Sequence, residues 1–257
     1  MMTPIPTAPD TVYGVTTPIF RKDSIMSDNP ILLFEDNFDG KDLDLTKWER
    51  CPEWKRGRGA CIWDPKYSYL DGKGHLILHA EYEADGLVHS GGVRTTNTFY
   101  GGYGYYEASI CFPTAVGTWG AFWMMVGDVT APTAAGGLEI DIVESINNEA
   151  GLCNHALHWS YRDLHSVTSG QMKKEYIYDG KFHTFAVDRS ENGYVFYIDR
   201  EETWRAGPEM CEPCPEKGYM KVTMEAAGWA GAGTEASKEA LPADMVVDYV
   251  RVYSKKP

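Results

Sequence analysis

The chain has no run of about 18 apolar residues, so nothing in it reads as a bilayer-spanning helix. Basic charge is scarce: 24 Lys and Arg stand against 37 Asp and Glu, a net charge of −13 over 257 residues. Nucleic acid and anionic membrane surfaces are therefore poor partners, and neither is expected. The opening Met1-Met-Thr-Pro-Ile-Pro lacks the charged start and apolar centre of a secretory leader. Six cysteines (Cys51, Cys61, Cys111, Cys153, Cys211, Cys214) could pair, but spacing gives no connectivity. Cys211-Glu-Pro-Cys214 has zinc-like spacing without the second C-x-x-C that would complete a site, and it reads as a loop. Long amphipathic helical patterns are missing too.

What is present is an ordinary globular balance, 43% apolar and 24% charged, with length enough for one sizeable core. Aromatics reach 13%, including 8 Trp and 16 Tyr, which suits a surface that stacks on flat apolar faces as well as a packed core. Residues 1–30, rich in Pro, Thr, Ser and Asp, read as an irregular arm ahead of a single domain over 31–257.

From Ile31 onward the pattern is short strands punctuated by turns. Strands are expected at 31–38, 75–80, 103–112, 119–126, 155–159, 182–187, 194–199, 220–227 and 245–253, with Asn192-Gly193 marking a hairpin. Residues 51–68 read as a long loop whose interleaved Trp54, Lys55, Arg56, Arg58 and Trp63 fit a binding rim. Many strands and no long helix give an all-β sandwich or jelly roll.

One stretch stands apart: Gly137-Leu-Glu-Ile-Asp-Ile-Val-Glu-Ser145 sets three acids in a β-branched apolar run. In a regular strand Glu139 and Asp141 share a face and Glu144 takes the other. A one-residue bulge near Ile142–Val143 brings Glu144 round to join them. Carboxylates held that close repel, so at least one keeps its proton near neutral pH. A glycosidase needs that state: one ionised nucleophile and one protonated acid, ~5–5.5 Å apart where configuration is retained.

With these strands in order, residues 31–253 resemble glycoside hydrolase family 16. Glu139-Ile-Asp-Ile-Val-Glu144 resembles that family's E-x-D-x-x-E signature in its bulged form. Tyr103-Gly-Tyr-Tyr-Glu-Ala, Gly120-Ala-Phe-Trp, Leu157-His-Trp159 and Asp248-Tyr-Val-Arg-Val-Tyr253 are similar to further family strands in the same order. The resemblance implies a concanavalin A-like jelly roll of two curved antiparallel sheets with a concave substrate cleft. It implies Glu139 as nucleophile, Glu144 as acid/base and Asp141 as the group between them. The implied activity is retaining, endo-acting cleavage of a β-linked polysaccharide by a monomer that needs no cofactor for catalysis. Such an enzyme is expected outside the cell or at its surface, with any leader removed.

Substrate contacts are expected from Trp119, Trp123, His158 and Trp159, then from Arg94, His155, Glu225, Trp229 and Trp63. A structural calcium, common in the family, would use Glu35 and Asp248. Departures bear on the sugar. Trp119-Gly120 stands where β-1,3-glucanases usually have Trp-Pro, the loop before the acids lacks another Trp-Pro, and Glu225 replaces a common Asn. An endo-β-1,3-glucanase is the first expectation and an endo-β-galactosidase of the agarase, porphyranase or mucin-directed kind the second. A sugar-binding lectin is the reading from a different class, and clustered acids give a lectin nothing.

Overall fold

The computed structural model describes residues 29–56, 61–146, 151–226 and 239–257. Most of the expected N-terminal arm and Trp229 lie outside those residues.

Two sheets make the fold. In the first the order is β17 (Glu201–Ala206), β16 (Gly193–Ile198), β15 (His183–Ser190), β9 (Gly104–Cys111), β19 (Ala243–Tyr253), β6 (Leu76–Tyr82), β7 (Val88–Ser90), β4 (Cys61–Trp63) and β3 (Trp54–Lys55). Strand β1 (Leu32–Asp36) pairs with β19, and β5 (Ser68–Leu70) with β6. The second runs β13 (His165–Thr168), β12 (Leu152–Trp159), β11 (Gly137–Ile146), β10 (Thr118–Gly127), β18 (Gly218–Ala226), β8 (Gly92–Arg94) and β2 (Glu49–Arg50), with β14 (Met172–Lys173) on β12. Pairing is antiparallel apart from β4 with β7. This is the all-β jelly roll that the strand pattern predicts.

Between the sheets, Phe122, Met124, Leu138, Ile140, Leu157, Val222 and Met224 from the second meet Tyr106, Ala108, Phe185, Phe196 and Val247 from the first. Alternation then sends the intervening residues of the second sheet to its outer face. Gly120 belongs to the inner set. A Cβ there would lie 2.8 Å from both Met245 Sδ and the Phe112 ring, and its N–H donates to Ser145 Oγ at 2.8 Å. A proline, with no N–H and a bulky ring, has no room at that position.

The expected hairpin forms, Ser190 facing Gly193 across the β15–β16 turn. The expected loop over 51–68 is partly strand instead: Trp54–Lys55 and Cys61–Trp63 pair and extend the first sheet. None of the six cysteines is in a disulfide.

Glu35 and Asp248 do not converge. Glu35 faces Arg251 across β1 and β19 and accepts from its Nε at 2.8 Å. Asp248 sits at an irregularity of β19 three residues earlier and accepts from Ser109 Oγ at 3.3 Å. A pair so separated, one member committed to an arginine, does not fit the oxygen cage that calcium requires.

Candidate active site

The outer face of the second sheet carries a cleft of about 930 Å³. Register makes its floor a grid. One row runs Asn154, Glu144, Ala121, Thr223 across β12, β11, β10 and β18. The next runs Ala156, Asp141, Trp123, Lys221 and, on β8, Arg94. A third runs His158, Glu139, Met125, Tyr219.

The acids share this face because β11 is bulged. Phe122 opposes Val143 while the next residue, Trp123, opposes Asp141, leaving Ile142 as the extra residue. Against β12 the register shifts between Asp141 and Glu144. Ile142 and Val143, consecutive in sequence, both pack into the core, and that double step returns Glu144 to the side of Glu139.

Burial and mutual repulsion set the proton inventory. Asp141 is pushed well above the ordinary carboxylate range, first by burial and then by Glu139. Glu144 is also raised well above its ordinary value, first by burial and then by Asp141, although Asn154 Nδ2 donates to Glu144 Oε2 at 3.1 Å. Glu139 accepts from Tyr161 Oη at 2.5 Å, and His158 Nε2 lies 3.2 Å from Asp141 Oδ2. Glu139, Asp141 and His158 each offer an atom within 4.8 Å of the others. Geometrically that trio could grip a cation, and all three side chains line the cleft.

Of the other expected contacts, Trp119, Trp123, Trp159, Arg94 and Glu225 line the cleft. Trp123 Nε1 donates to Thr223 Oγ1 at 3.0 Å, which fixes the ring's edge. Arg94 is held by two 3.0 Å bonds to Glu49, and Arg56 by a 2.7 Å bond to Glu225. Trp54 and Arg56 therefore do form a rim, as the interleaved pattern predicts.

Two expectations fail. Trp63 is 1% exposed, packed under the cleft against Cys51, Ala121 and Trp123 rather than lining it. Short β4 tucks it inward, where sequence shows only a loop aromatic. His155 is 0% exposed and faces the core. Its Nδ1–H donates to Ile142 O at 2.6 Å, and its Nε2 accepts from Thr203 Oγ1 at 2.8 Å. Parity explains the error: His158 is an odd number of residues from His155, so only one of them can face the cleft.

Three contributors escaped the sequence reading. Tyr161 follows β12 in a turn, pinned by its N–H to Val129 O at 2.9 Å. Asn154 and Lys221 lie on strands at positions that alternation assigns to the outer face, a signal that could have found both once the face was known.

The outer face of the second sheet thus gathers two carboxyls of raised proton affinity beside a third, in a cleft lined by aromatic residues. The glycosyl hydrolases family 16 model matches residues 58–251, and the chain belongs to that family. It is 28% identical over 259 residues to the keratan-sulfate endo-1,4-β-galactosidase of Sphingobacterium multivorum, covering 93% of this chain and 58% of that protein. It is 31% identical over 175 residues to the endo-1,3-1,4-β-glycanase EglC of Rhizobium meliloti (strain 1021), covering 67% of this chain and 35% of that one. The chain thus spans only about a third to three fifths of these relatives. Its fold is similar to the laminarinase of Flavobacterium sp. UMI-01, with TM-score 0.74, 24% identity, and coverage of 87% of this chain and 100% of that one. A chain described with the endo-acting O-glycanases that gut microbes use to initiate mucin breakdown gives TM-score 0.76 at 21% identity, over 90% of this chain and 93% of that one.

Proposed function

We propose that this chain is a retaining, endo-acting β-glycoside hydrolase. The observation that carries the reading is the bulge at Ile142, which sets Glu144 on the same face as Glu139. In the first step Glu144, protonated, gives its proton to the leaving glycosidic oxygen while the Glu139 carboxylate attacks the anomeric carbon. The C–O bond to the leaving sugar breaks and a glycosyl ester on Glu139 forms. In the second step Glu144, now a carboxylate, takes a proton from water, whose oxygen displaces Glu139. Asp141 keeps a proton between them, so the trio does not hold three like charges. His158 orients Asp141, and Tyr161 stabilises the ionised nucleophile.

An open cleft bounded by Trp54 on one side and Trp159 on the other suits an internal stretch of a long sugar chain. A polymer of that size places the enzyme's work outside the cell or at its surface. An internal β-1,3-glucosidic bond is the first reading, as in the glucan endo-1,3-β-glucosidase A1 of Niallia circulans, a relative 24% identical over 260 residues. A β-galactosidic chain is the second. The keratan-sulfate endo-1,4-β-galactosidase relative, aligned over 93% of this chain, supports it.

Reducing-end release from laminarin, lichenan, agarose, porphyran, carrageenan and mucin glycans tests the proposal, with NMR of the first products. Release with retained anomeric configuration is expected from one substrate. Binding without release would make the protein a lectin, and inversion would contradict the shared-face arrangement.

A further inference from the structure

The acid trio works with one negative charge, and two of its members, Asp141 and Glu144, are buried. An anion in such a place is costly unless a cation answers it. Among the described residues three Lys or Arg side chains line the cleft: Arg56, Arg94 and Lys221. Two are bonded to acids outside the trio, Arg94 to Glu49 and Arg56 to Glu225. Lys221 is the third.

Its row runs Asp141, Trp123, Lys221, which sets it two strands from Asp141, about 9–10 Å between backbones. It is 6% exposed, with Nζ 3.8 Å from the Trp123 ring centroid and 4.6 Å from that of Trp63. Two indole faces hold the ammonium, and Trp123 is itself fixed by its bond to Thr223. The charge is therefore placed, not free to swing. The acids of the cleft feel it. Asp141, raised first by burial and then by Glu139, is drawn back by Lys221. Glu225, raised by burial, is drawn back by Arg56 and by Lys221. In return, burial pushes the Lys221 ammonium down to about 8, Cys51 and Glu139 act to keep its proton, and Arg56 and Arg94 oppose them. Burial also holds the Cys51 thiol at about 11. Near neutral pH that thiol is uncharged, so the carboxylates supply the attraction.

Resting on the glycosidase reading of this cleft, we propose that Lys221 is a positioning residue for the reaction, a fixed cation that sets the pH at which the acid trio takes on its single negative charge. It acts through the acids and touches no reacting atom. Tyr161, donating to Glu139 Oε2, fixes that charge on the nucleophile, while Asp141 and Glu144 keep their protons. The division of labour is physical: a hydrogen bond chooses among adjacent carboxyls, and a charge two strands away favours ionisation of the group as a whole. A methionine at 221 would fill the same strand position, and the trio would then ionise only at higher pH.

The test compares wild type, Lys221→Met and Lys221→Arg by two measurements. One is the pH profile of kcat/KM on the best polymer of the panel. The other, which needs no turnover, is the carboxyl-carbon NMR titration of protein labelled at Asp and Glu, with Glu139→Gln assigning the trio. In Lys221→Met the acidic limb and the first carboxyl midpoint of the trio should both move up by about one pH unit. The rate then falls about 10-fold on the acid side and changes little at the optimum. Lys221→Arg keeps the charge and should leave both close to their wild-type positions. A limb and a midpoint that stay in place in Lys221→Met overturn the proposal. So does an equal loss of rate at every pH, which would make Lys221 a packing residue. A midpoint that moves in a protein that cleaves nothing on the panel would refute the hydrolase reading and leave the charge relation standing. Cleavage with an unmoved midpoint would do the reverse.

Discussion

His155 Nδ1 donates to Ile142 O at 2.6 Å, so the carbonyl of the bulged residue is held from the core side of the sheet. A carbonyl can only accept, so the ring proton is on Nδ1 and Nε2 accepts from Thr203 Oγ1 of the opposite sheet, 2.8 Å away. A bulge leaves a backbone group without its ladder partner. Here a neutral histidine takes the vacant place, and Glu144 depends on the conformation so fixed.

His155→Phe keeps the ring volume and loses both bonds. Its kcat should fall about 10- to 100-fold with KM little changed, since sub-ångström misplacement of an acid costs rate before binding. His155→Asn, whose amide can replace Nδ1–H, should recover part of the loss. Equal losses in the two variants would show that packing alone matters.

The same histidine predicts a pH effect on stability. Burial holds it at about 4 against an ordinary 6.5. Its folded value is depressed, so the unfolded chain takes a proton that the native one refuses. Stability is lost as pH falls from 6.5 toward 4, by on the order of 3 kcal/mol for this group. Denaturant midpoints across that window should be flatter with pH in His155→Asn than in the wild type.

Glu139→Gln should lower kcat on the order of 10⁴-fold without changing the fold, measured as reducing ends beside a circular dichroism spectrum. Near-normal turnover would remove Glu139 from the nucleophile's role. In Glu144→Gln, azide or a substrate with a good leaving group should restore part of the rate, because the missing proton and base are then less needed.

Tyr161→Phe deletes the 2.5 Å bond to Glu139. A hydrogen bond to an ionised acceptor is worth ~1.5–3 kcal/mol, so kcat/KM should drop about 10- to 100-fold. Steady-state kinetics on the best polymer of the panel decides it.

Glu144, raised by burial and by Asp141, should give the rate profile an alkaline limb above the ordinary Glu value, because its ionisation removes the proton donor. It also makes the site a weak point. The native state holds that proton more tightly than the unfolded one, so stability declines as pH rises through the folded value. Glu144→Gln should therefore melt a few degrees higher than wild type at pH 7, on the scale of ~2–4 °C per kcal/mol. The difference should vanish below about pH 4, where even the unfolded carboxyl is protonated.

Local chemistry determined much of this protein in advance. The β-branched run around the acids, alternation along each strand and the Asn192-Gly193 turn depend on neighbours in the chain, and those neighbours are written in order. The bulge was legible for the same reason: only one extra residue lets three acids at 139, 141 and 144 share a face. What sequence could not decide was which residues from distant strands meet. Lys221, Thr223 and Arg94 join the acids only through the pairing of β10 with β18 and of β18 with β8. Trp63 went under the cleft and His155 into the core because inward and outward are properties of two packed sheets. The same packing decided the proton affinities, since a carboxyl's environment is built by whatever the rest of the fold lays over it.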